Sequence, residues 1–171
     1  MRTALLTAAM LTLPAFAGEP TAPSHATTQL EGTYQLIAKP DLESGIDLAT
    51  EGLPFFTKPE AKARLASVNP AYRKVALHQK DGVVLIQFDG RKAVEVPLKG
   101  GLAWTREDGE TFWVTAVSSP DRLQQTYKAK DGERTNEFVL TPSGDLLLKV
   151  TVRSHRLGHL LRYQMLYRRQ A

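Results

Sequence analysis

Tyr34 near the start of the chain, and Arg162, Tyr163, Met165 and Tyr167 near its end, are side chains whose types suit the capture of a small molecule. A guanidinium such as that of Arg162 can grip a carboxylate or phosphate with two parallel hydrogen bonds, while tyrosine and methionine offer apolar surface to an attached tail. These five are the candidate ligand-binding residues. Signals for catalysis are weaker. His155 and His159 are four residues apart, which on a helix would put two metal ligands on one face, but Gly158 and the neighbouring arginines mark a turn between strands. His78 stands alone within a strand, and the acids of Glu107-Asp108-Gly109-Glu110 read as solvated turn chemistry. The chain has no Gly-x-Ser-x-Gly elbow, phosphate loop or dinucleotide fingerprint. With zero cysteines, thiol nucleophiles, zinc–thiolate sites and disulfides are excluded together. The residues therefore point to a binding protein rather than an enzyme, with no catalytic residue, cofactor or metal expected.

The first 17 residues carry an address. Met1-Arg2-Thr3 is a short basic start, Ala4 to Leu13 is an apolar run interrupted only by Thr7 and Thr12, and Ala15-Phe16-Ala17 after Pro14 fits the small-x-small cleavage rule. The run is roughly half the ~20 residues needed to span a bilayer, so it reads as a cleaved signal peptide and not an anchor. Cleavage after Ala17 would leave a soluble product in a periplasm or outside the cell, starting at Gly18. Residues 18–29, rich in Pro, Thr, Ala and Ser, read as a flexible linker, and residues 30–171 as one domain.

Charge is unevenly spread. Removing residues 1–17 takes away Arg2 and no acid, leaving 21 Lys and Arg against 18 Asp and Glu. From residue 146 onward the chain carries Lys149, Arg153, Arg156, Arg162, Arg168 and Arg169 and no acid at all. Export and the lack of an aromatic-interleaved basic motif argue against nucleic acid, which leaves an anionic lipid or an acidic protein as the partner for this end.

Those residues need elements to position them. Leu30 to Leu36 reads as a first strand that stops before Pro40, and Asp41 to Thr50 as a short helix or a structured loop. Thr57-Lys58-Pro59-Glu60 resembles a capping box in which Thr and Glu satisfy each other's exposed N–H groups, so one helix is expected near 58–68, ending before Asn69-Pro70. Beyond Pro70 the turn signals Asp81-Gly82, Asp89-Gly90, Gly100-Gly101, Asp108-Gly109, Ser119-Pro120, Asp131-Gly132 and Ser143-Gly144 recur at hairpin intervals. Nine β-branched and aromatic runs lie between them, giving ten strands with the first. The expected fold is all-β: an antiparallel up-and-down meander of about 8–10 strands that curls to hide its edges. A closed barrel is the simplest solution, and a half-open barrel around the helical segment the alternative. Closure requires the first and last strands to be neighbours, which makes the seam between Tyr34 and residues 160–169 the candidate site.

Gly32-Thr33-Tyr34 resembles the Gly-x-Trp of the lipocalin first strand, with Tyr in place of Trp. A helical excursion between the first and second of ten strands is similar to the layout of fatty-acid-binding proteins. From about residue 30 to the end the chain thus resembles the calycin group of lipocalin-like ligand-binding barrels. The resemblance implies that Arg162 or Arg168 is the late arginine packing across the first-strand aromatic. The Arg-x-Tyr carboxylate clamp of the fatty-acid-binding proteins does not carry over, because Arg162 and Tyr163 are adjacent and point to opposite faces.

Two functional classes follow. One is an exported carrier or sensor of a small apolar, anionic ligand resembling a fatty acid or other lipid, held in the barrel. The other is a periplasmic protein-interaction module, of inhibitor or immunity type, working through exposed strands and loops.

Overall fold

The structure is a computed structural model that describes residues 29–170. The signal peptide expected over 1–17, and all of the linker expected over 18–29 except its last residue, lie outside them. Gln29 itself is held: its N–H donates to the Pro120 carbonyl at 2.9 Å.

Ten antiparallel strands make one sheet: β1 (Gly32–Ala38), β2 (Lys74–Lys80), β3 (Val83–Phe88), β4 (Val94–Pro97), β5 (Leu102–Thr105), β6 (Thr111–Ser119), β7 (Arg122–Lys128), β8 (Gly132–Leu140), β9 (Leu146–Ser154) and β10 (Leu161–Arg169). Their order, β4-β3-β2-β1-β10-β9-β8-β7-β6-β5, is a meander rolled up so that first and last strands pair. Tyr34 lies opposite Arg169 and Leu36 opposite Tyr167. The expected Asp-Gly hairpins form, with Asp81 and Gly82 at φ 51° and 76° and Asp89 and Gly90 at 48° and 70°. Both central residues at positive φ give the turn a twist that matches the strands it joins.

Closure is nearly complete. β4 and β5 form the two ends of the strand order and share no ladder. Each has only four residues, and β4 ends in Pro97, whose ring nitrogen has no hydrogen to donate. The alternation expected along β10 holds: Leu161, Tyr163, Met165 and Tyr167 are buried inside, while Arg162, Gln164 and Arg168 are exposed outside. Leu146, Leu148 and Val150 of β9 do the same.

The excursion between β1 and β2 contains two helices, α1 (Leu42–Ala49) and α2 (Lys58–Val68). The segment left open between helix and loop is thus helical, with the Asp41 side chain accepting from the Ser44 N–H at its start. The capping box at Thr57 does not form. Thr57 Oγ1 donates to the Pro54 carbonyl instead, and Pro59 in the first turn removes one of the N–H groups that need a cap. Both helices lie over the barrel end where β1 stops and β10 begins. The contact is tight: Gly158 donates its N–H to the Ala49 carbonyl at 3.1 Å, and a Cβ there would sit 2.0 Å from the Glu51 carbonyl oxygen. Only glycine lets the turn after β9 approach the end of α1 so closely. Among the described residues no helix is long and apolar enough to cross a membrane.

Candidate functional site

Strand register decides which side chains can meet inside. On β7 and β8, Tyr127 is paired with Arg134 and Gln125 with Asn136, and all four belong to the inward set. Polar residues on that face must satisfy one another, since an unpaired polar group in a low-dielectric interior costs ~1–3 kcal/mol. They do so as a chain. Arg134 Nε donates to Asn136 Oδ1 at 2.9 Å, and Asn136 Nδ2 donates to Gln125 Oε1 at 3.1 Å. The rest of the guanidinium turns towards the helices. Its Nη1 donates to Asn69 Oδ1 at 2.9 Å and to the Val68 carbonyl at 3.4 Å, and its Nη2 to the Tyr163 hydroxyl at 3.3 Å.

No carboxylate neutralises Arg134 among the ion pairs of the described residues. Its charge is offset by neutral acceptors and by the C-terminal end of α2, where unpaired carbonyls concentrate negative potential. Burial pushes the phenols of Tyr127, Tyr163 and Tyr167 up, and the Arg134 charge pulls each back in part. All three are therefore neutral hydroxyls at physiological pH.

Beside this polar patch the inward face is aromatic. Trp104 and Phe112 pack against Tyr127 with ring centroids 5.6 and 6.0 Å away, and Tyr72 stacks on Phe88 at 4.3 Å. Phe88, Trp104 and Phe112 are only partly buried although they pack against the core, and Tyr72 is partly buried as well. These rings make a partly exposed apolar patch at the helix end of the barrel. Towards the far end, Ser118 of β6 donates to Gln79 of β2 at 3.1 Å.

Of the residues expected to form a site, Tyr163, Met165 and Tyr167 share the inward face of β10. Tyr163 reaches Arg134, and the Tyr167 hydroxyl donates to the Tyr72 carbonyl at 3.1 Å or to Met165 Sδ at 3.3 Å. Tyr34 is buried at the far end, where its hydroxyl donates to the Leu30 carbonyl at 2.9 Å. Arg162 is not brought together with them. It projects from the outer face, opposite Thr151, because neighbours on a strand point to opposite sides. The arginine that packs across the first-strand aromatic is likewise neither Arg162 nor Arg168. It is Arg169, whose Nη2 donates to the Tyr34 hydroxyl at 2.8 Å and whose guanidinium carbon lies 5.3 Å from the ring centre. Arg168, facing out, pairs with Asp145 beside an open groove of about 630 Å³ on the outside of the far end.

Sequence reasoning missed Arg134, Asn136, Gln125 and Asn69. A signal was present for three of them. Leu123, Gln125 and Tyr127, like Arg134, Asn136 and Phe138, alternate along one face, and polar residues in phase with core residues flag a buried network. For Asn69, which follows α2 and donates to the Leu65 carbonyl at 2.8 Å, nothing in the sequence indicated burial.

No protein-family model and no curated protein sequence matches the chain. Solved structures do match. The chain is similar to a fatty acid transporter, REP1-NXSQ (11% identity, TM-score 0.54, covering 83% of this chain and 96% of that one). A Schistosoma mansoni fatty acid binding protein in complex with arachidonic acid is similar too (12%, 0.54, 84% and 97%). So is zebrafish ileal bile acid-binding protein complexed with cholic acid (9%, 0.53, 84% and 100%). At these identities the likeness establishes the calycin-type barrel of the fatty-acid-binding proteins as the fold.

Proposed function

We propose that this protein is an exported, soluble carrier of a small apolar, anionic ligand resembling a fatty acid, bound at the helix end of the barrel. The observation that carries this reading is that Arg134, which has no carboxylate partner among the described residues, lies opposite Tyr127, against which the partly exposed rings of Trp104 and Phe112 pack. An acidic headgroup would take the guanidinium and neighbouring hydroxyls, and an apolar tail would take the rings. The similar barrels in complex with arachidonic acid and with cholic acid support the reading. Export rests on the first 17 residues. Protein purified from its native source and measured intact should begin at Gly18, and its organic extract should contain a lipid acid. Retention of residues 1–17 sinks the export, and a persistently empty extract with no binding of added fatty acid sinks the carrier.

One observation favours the second reading, a protein-interaction module. Phe55 and Phe56, between α1 and α2, are 91% and 82% exposed. Replacing both with Ser should leave stability within ~0.5 kcal/mol, since neither is packed. If the pair serves a protein partner, the double variant loses that partner and keeps lipid binding. Loss of lipid binding instead would make the pair part of the carrier's entrance.

A further inference from the structure

α2 has little of its own to hold it to the barrel. Leu65 is its one buried side chain, whereas α1 buries Ile46 and Ala49 and meets β10 so closely that a Cβ on Gly45 would sit 2.9 Å from the Arg162 carbonyl oxygen. A surface ion pair, Lys62 with Asp47, joins α2 to α1, and such exposed pairs contribute little. The C-terminal end of α2 is tied to the barrel by Arg134, itself only partly buried. Nη1 of that guanidinium donates to both the Val68 carbonyl and Asn69 Oδ1. Asn69, 2% exposed, carries the tie back into the helix by donating to the Leu65 carbonyl at 2.8 Å.

A planar guanidinium can hold a carboxylate with two parallel hydrogen bonds along either of two edges, Nη1 with Nη2 or Nε with Nη2. Both edges are engaged in Arg134. Nε is taken by Asn136, a buried residue of the same strand whose own amide is anchored on Gln125. Nη1 is taken by the end of α2, and of the two partners the weakly anchored helix end is the one that can leave. Resting on the carrier reading above, we propose that Asn69 is an intramolecular competitor of the ligand's headgroup for Arg134, so that capture of an anion releases the C-terminal end of α2. Two neutral acceptors, Asn69 Oδ1 and the Val68 carbonyl, give way to charged carboxylate oxygens, which are the stronger acceptors. The coupling is reciprocal by thermodynamic necessity: if the anion loosens α2, whatever breaks the tie to α2 tightens the anion. Bound ligand thus leaves this end of the molecule looser than the free protein.

The test reads hydrogen–deuterium exchange of the α2 amides with and without saturating oleate or oleyl alcohol, and the affinity of both by calorimetry. Oleate should speed exchange in the last turn of α2 by at least about fivefold, the lower end of ordinary coupling between sites, and oleyl alcohol should not. Asn69→Ala should exchange fast without ligand and raise the ratio of oleate to oleyl alcohol affinity by at least about fivefold. Asn69→Asp, which sets a charged acceptor on Arg134, should lower that ratio by about tenfold or more. A merely structural Asn69 would not move the ratio in opposite directions in the two variants, and a ratio within one protein is not hidden by a general loss of stability. Oleate binding that leaves α2 exchange unchanged or slows it overturns the inference and leaves the carrier standing. An unchanged or lowered ratio in Asn69→Ala also overturns it. Binding of neither ligand to the wild type removes the carrier and this inference together.

Discussion

Phe138→Ala is expected to lower the unfolding free energy by about 3–5 kcal/mol, the range for truncating a fully buried aromatic. Phe138 of β8 is 0% exposed, and its ring stacks at 6.3 Å on Phe88 of β3, a strand of the facing wall. The side chain therefore ties the two halves of the barrel, which share no ladder between β4 and β5 and are joined there only by residues 98–101. Truncation leaves a hole that the ladder on either side of β8 cannot collapse to fill, since Phe138 is fixed opposite Leu123 and Leu148. Urea denaturation measures the loss. Val117→Ala on the outer face of β6, 68% exposed, is the control and should shift stability by less than ~0.5 kcal/mol. Similar small effects at both positions would mean that the interior is not the packed core described here.

Arg134→Met is expected to weaken binding of oleate by about 10–100-fold while leaving oleyl alcohol nearly unaffected. A hydrogen bond to a charged partner contributes roughly 1.5–3 kcal/mol, and ~1.4 kcal/mol is tenfold in affinity. Methionine keeps much of the aliphatic length, and the packing of Trp104 and Phe112 on Tyr127 does not depend on the guanidinium. The substitution also frees Asn69 Oδ1 and the Val68 carbonyl, so some loosening of α2 should accompany it. The oleate-to-alcohol ratio separates the two effects, because loosening acts on both ligands and loss of charge on one. Arg162→Ala, on the outer face, should leave that ratio unchanged. An unchanged ratio in Arg134→Met, or a changed one in Arg162→Ala, places the anion elsewhere.

Much of the fold is legible in the sequence. Ten strands, the helix over 58–68 and the pairing of first and last strands follow from residues whose effect is local or topological. Asp-Gly pairs tolerate positive φ, Pro40 and Pro70 bar continuation, and a meander of this length has to hide its edges. The gap between β4 and β5 was less legible: the run ending at Pro97-Leu98 looked like other strands, and its failure to pair depends on what stands opposite it.

The candidate site divides the same way. By itself the sequence determined that Tyr163, Met165 and Tyr167 share one side of a strand, because a period of two is a property of the backbone. Followed one step further, that period would have selected Arg169 over Arg168 as the partner of Tyr34. Only the tertiary structure decided which strands face each other and which loop returns over them. Arg134, Asn69 and Tyr163 are 65 and 29 residues apart in the chain and meet because α2 folds back over the barrel end. Gln125 is an ordinary polar residue of β7 until β8 sets Asn136 against its oxygen and leaves its nitrogen facing inward, since hydrogen-bond satisfaction belongs to a pair of groups in space and not to either residue alone.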